Sequence, residues 1–67
     1  MNDKTESQRL TMSEYKGMKL LAGTLDGELL CSVLKHLHWV KDESAANMQA
    51  FKAVRYVYSQ RFGSCPY

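Results

Sequence analysis

Proline occurs once in this 67-residue chain, at Pro66, and glycine only four times. So few breakers leave room for long helices and argue against many short strands joined by turns. The apolar spacing agrees. In "ELLCSVLKHLHWV", Leu29, Leu30, Val33, Leu34 and Leu37 fall at i, i+1, i+4, i+5 and i+8, which is one face of a helix, and Val40 extends it. Asp26-Gly27 is a hairpin signal that would pair "KLLAGTL" with "ELLCSVL". The leucines, however, come in adjacent pairs rather than alternating, and β-branched residues are scarce. The helix is therefore the reading taken, from about Asp26 to Trp39, with Thr24 or Asp26 as its cap.

Two more helices flank it. Thr11 followed three residues later by Glu14 fits a capping box, which starts a helix from Met12 to Ala22 with Tyr15, Met18, Leu21 and Ala22 at helical spacing. Gly23 is then placed as a left-handed C-cap. Asp42 or Ser44 caps a third helix, running from Glu43 or Ala45 to Arg61 or Phe62 and stopped by Gly63. The expected fold is all-α: a small three-helix domain over residues 11–63 with a long C-terminal helix. A disordered N-terminal tail over 1–10 and a C-terminal tail over 64–67 complete it.

A single domain of this length buries only about 60% of its unfolded surface, so its stability is marginal without disulfides, metal or a partner subunit. Two cysteines, Cys31 and Cys65, are too few for a disulfide framework. No basic stretch leading into an apolar one opens the sequence, and no apolar run approaches the ~20 residues of a membrane span. A cytoplasmic protein with reduced thiols and no membrane association is expected.

The third helix divides nearly in half at ~100° per residue. Phe51, Val54, Tyr58 and Phe62 make a bulky seam for the other helices. Ala46, Ala50, Ala53 and Val57 make a small-residue seam, which meets either the first helix of the same chain or a copy of itself across a two-fold axis. The short core favours a homodimer through this second seam. Gln49, Lys52, Arg55, Tyr56, Ser59 and Gln60 occupy the polar half. On the second helix Trp39 projects opposite the leucines, in line with Glu28, Ser32 and Lys35. Either the helix ends at His38 and Trp39 folds back over the core, or Trp39 is a large rigid anchor for a partner.

Chemistry finds little foothold. His36 and His38 are two apart on a helix and point in different directions, and Cys31 and Cys65 do not complete a four-ligand zinc set with them. The carboxylates Glu14, Asp26, Glu28, Asp42 and Glu43 sit at helix starts, where capping and the helix dipole account for them. "GTLDG" lacks both phosphate-loop patterns. No enzyme, metal or cofactor is expected.

A small non-enzymatic regulatory or interaction protein is the functional expectation, binding a protein partner through Trp39 and Lys35. Lys52, Arg55 and Tyr56 join them if the two polar faces lie side by side. The alternative is a DNA-binding regulator that uses the basic face of the third helix. A net charge of +2 permits nucleic acid without demanding it. Helix two, "VKDES" and helix three also have a helix-turn-helix outline, though Asp42 and Glu43 stand where phosphate would approach.

Overall fold

Thr11 and Glu14 start the first helix as their spacing predicts. In the computed structural model, which describes residues 9–67, the Thr11 Oγ1 accepts from the Glu14 N–H (3.1 Å), and Glu14 Oε1 accepts from the Thr11 N–H (2.8 Å). This capping box opens α1, Met12–Thr24. Asp26 caps α2, Gly27–Val40, by accepting from the Leu29 N–H (2.8 Å). Ser44 caps α3, Ala45–Phe62, by accepting from the Asn47 N–H (3.0 Å). Gly63, at φ 87°, ends α3 in the left-handed conformation and donates its N–H to the Ser59 carbonyl (2.8 Å). The described residues form these three helices and no strand, so the Asp-Gly pair caps a helix instead of turning a hairpin.

The long third helix is the shared wall. It packs against both α1 and α2, which touch each other little. Leu30 and Leu34 of α2 are fully buried against Phe51 and Val54 of α3, and Ala22 of α1 closes the cluster. Met18, Leu25, Leu37, Met48, Val57 and Tyr58 pack around it half-buried.

The small-residue seam is used inside the chain. Ala53 is 0% exposed and Ala50 is also buried, while Ala46 and Val57 are half-buried. Side chains this small let a neighbouring backbone come close, and the chain's own residues already cover Ala50 and Ala53. Ala46 and Val57, at the two ends of the seam, stay partly open.

The end of α1 departs from expectation. The helix runs two residues past Ala22, and Gly23 lies within it with no positive φ; its expected left-handed cap does not form. The physical reason is a clasp from far along the chain. Arg61 Nη1 donates to the Ala22 carbonyl (3.2 Å) and to the Leu25 carbonyl, and Thr24 Oγ1 donates to the Leu21 carbonyl (2.7 Å). These donors, together with the Leu25 N–H on the Ala22 carbonyl (3.3 Å), satisfy helix-end carbonyls that a glycine cap would otherwise serve. Nothing lies within 4 Å of a Cβ built at Gly23. Gly23→Ala is therefore expected to raise stability by about 0.5–1 kcal/mol, through lower backbone entropy in the unfolded chain. A urea titration checks this; a loss of stability would restore the left-handed cap.

Both chain ends of the described region are docked. Leu10, placed in the N-terminal tail by sequence, is half-buried, and its N–H donates to Gln49 Oε1 (2.7 Å). The remainder of that tail assignment, residues 1–8, lies outside the described residues. Cys65 and Tyr67 pack against the core, and the Tyr67 ring sits 5.2 Å from that of His38. Among the described residues, no helix is long and apolar enough to cross a membrane.

Candidate functional site

The apolar stripe of α2 is wider than its neighbours cover. Leu30 and Leu34 are sealed, but Leu29 is 54% exposed and Val33 is also open. On α1, Leu20 and Leu21 are 74% and 68% exposed. Phe62, assigned to the bulky core seam, is about half exposed and rests its ring edge over Gly27 and beside Tyr58, 4.8 Å between centroids. The reason is the limited meeting of α1 and α2: an apolar half-cylinder needs two neighbours, and α2 has one full neighbour.

Trp39 is the most exposed large apolar side chain among the described residues, at 85%. Because α2 continues through Val40, the ring cannot turn back over the core. It lies half a turn away from Leu30 and Leu34, on the outward face. Ser32, Lys35 and His36 line a shallow hollow with it. Ser32 and Lys35 also border a second hollow, with Glu28, Leu29 and Cys31, that Tyr67 closes at one side. The outward face of α2 is thus one continuous surface with an aromatic anchor at one end.

Lys52, Arg55 and Tyr56 do not join it. They line a different hollow, with Tyr15 of α1 and Ser59. The separation follows from the core: α2 and α3 turn their apolar stripes toward each other, so their polar faces point apart. The patch expected from sequence divides into two surfaces, Trp39 with Lys35 on one, and Lys52, Arg55 and Tyr56 on the other. Helical spacing alone groups Tyr15 with the core face of α1 and assigns Lys19 no role. Lys19 Nζ lies 5.4 Å from the Tyr15 ring centroid and 4.6 Å from that of Tyr56, bridging α1 and α3 by cation–π contacts. The i, i+4 spacing of Tyr15 and Lys19 was the available local signal.

Other polar groups serve the fold. Glu14 and Asp26 are engaged in capping. Lys41 and Asp42 form an ion pair at 3.1 Å in the turn before α3. Cys31 and Cys65 are free, half-buried thiols, and among the described residues no group of three or more His, Cys, Asp or Glu is arranged to hold a metal. Comparison with protein families, with curated proteins and with solved structures finds no match for this chain.

Proposed function

We propose that this is a small non-enzymatic regulatory or interaction protein that binds a protein partner through the outward face of α2. The observation that carries the reading is Trp39, 85% exposed on a helix that holds it away from its own core. Leaving a large rigid ring in water has a cost that a partner surface removes, and such rings dominate interface energetics. Lys35 beside it selects a partner that is acidic around its apolar pocket and speeds the encounter. Free thiols suit a reducing compartment, so the cytoplasm is where the partner is sought.

The test is a tagged pull-down from the cytoplasmic fraction of the native host, with and without nuclease. A protein recovered in both arms by the wild type and lost with Trp39→Ala supports the reading. Equal recovery by Trp39→Ala sinks it.

The chain also pairs with a second copy, through Leu20, Leu21, Leu29 and Val33 rather than through the alanine seam. Leu20 and Leu21 on α1 and Leu29 and Val33 on α2 are uncovered in a small protein with a small core, and a two-fold axis lets such surfaces cover their counterparts on a second copy. Sedimentation equilibrium should give twice the 7.7 kDa chain mass, and Leu29→Lys with Val33→Lys should return it to one. A wild-type mass of one chain removes the dimer and leaves the Trp39 proposal standing.

A further inference from the structure

The geometry points to a second binding surface, across α1 and α3, that takes single-stranded nucleic acid. Three adjoining hollows define it. Arg9 and Tyr15 border the first, with Gln49. Tyr15 also borders the second, with Lys52, Arg55, Tyr56 and Ser59. Lys19, lying over both tyrosine rings, leads to the third, which it lines with Lys16 and Leu20. Five cations therefore follow one track, and no carboxylate lines any of the three hollows. Glu14, the acid nearest in sequence, is held by the Thr11 backbone N–H at 2.8 Å. None of these five cations has a carboxylate within ion-pair distance among the described residues.

Cations with no carboxylate partner among the described residues, set between aromatic rings and hydroxyls, match the two features a single strand offers along its length. The phosphates neutralise Lys and Arg, and unpaired bases stack on aromatic faces. Tyr56, half exposed, supplies such a face at the centre of the track. A duplex fits less well, because its bases are already stacked. The end of α3 that would enter a major groove is also preceded by Asp42 and Glu43, while Lys52 and Arg55 lie two turns or more further along. An acidic protein would use the charges but not the rings, and the exposed aliphatic Leu20 lies at one end of this track rather than among its tyrosines. The two surfaces are independent, so one can fail without the other.

The experiment is fluorescence anisotropy with the full chain and a labelled oligothymidylate of about 16 nucleotides. Unlabelled duplex of equal length and polyglutamate serve as competitors. Neutralising three phosphates gives a slope of log K on log salt of about −2, so affinity should fall roughly 20-fold between 50 and 200 mM salt. Lys52→Ala with Arg55→Ala should flatten that slope by about 1.4. Tyr56→Ala should weaken binding about tenfold with the salt slope kept, and Tyr56→Phe should restore it. Trp39→Ala should change nothing. Polyglutamate competing as well as the oligonucleotide would make this an acidic-protein surface and overturn the proposal. So would equal binding of duplex, an inert Tyr56→Ala, or no anisotropy change at the lower salt.

Discussion

Phe51→Ala is expected to remove about 3–5 kcal/mol of folding stability, a large share of what the protein has. Phe51 is buried in the middle of α3, where it meets the leucine face of α2 and lies 5.6 Å from the His38 ring. Truncation loses the transfer free energy of the ring and leaves a cavity that helices anchored by Ser44, Asp26 and Arg61 cannot close. A 67-residue chain at about 0.05–0.15 kcal/mol per residue holds roughly 3–10 kcal/mol in all. The variant should therefore lose about a third or more of its stability, and its urea midpoint at 25 °C should fall in proportion. Far-ultraviolet circular dichroism reads this directly. Lys52→Ala, one position along and exposed, should stay within about 0.5 kcal/mol of wild type. If Phe51→Ala unfolds at the wild-type midpoint, the core described here is wrong.

Trp39→Ala should show the opposite pattern: unchanged stability and lost binding. The ring touches too little of its own chain for its removal to shift the urea midpoint by more than about 0.5 kcal/mol. For the partner recovered in the pull-down, truncating a central interface Trp should cost at least about 2 kcal/mol, a 30-fold weaker complex, mainly through faster dissociation. Lys35→Ala should act differently. It should slow association and reduce its salt sensitivity with a small change in dissociation, because a rim charge steers more than it holds. Titration calorimetry and stopped-flow association separate the two. A Trp39→Ala variant that binds normally would move the interface elsewhere on the protein.

The helix starts were legible because capping is local. Thr11 with Glu14, Asp26 with Leu29 and Ser44 with Asn47 each close within three residues, so short stretches of sequence contain the whole device. The end of α1 was not legible, since it depends on Arg61, 39 residues from Ala22. Periodicity identified the apolar face of α2 but not how much of it a neighbour covers, so Leu29 and Val33 read as core and stand open. The outward direction of Trp39 followed from helical rotation once the helix continued past it. The grouping of Tyr15, Lys19 and Tyr56 did not, because it arises only when α1 and α3 pack.

That α1 and α2 each lean on α3 and scarcely on one another bears on how the protein is made. A ribosome delivers α1 and α2 first, and until the last 18-residue helix appears they have no wall on which to bury Ala22, Leu30 and Leu34. At about 5–20 residues per second, synthesis of that helix alone takes roughly 1–4 s. Through that interval the nascent chain carries a bare leucine stripe, and Arg61 has yet to arrive to tie off α1. Burial of Ala22, Leu30 and Leu34 therefore waits on α3, the helix on which both of the others pack.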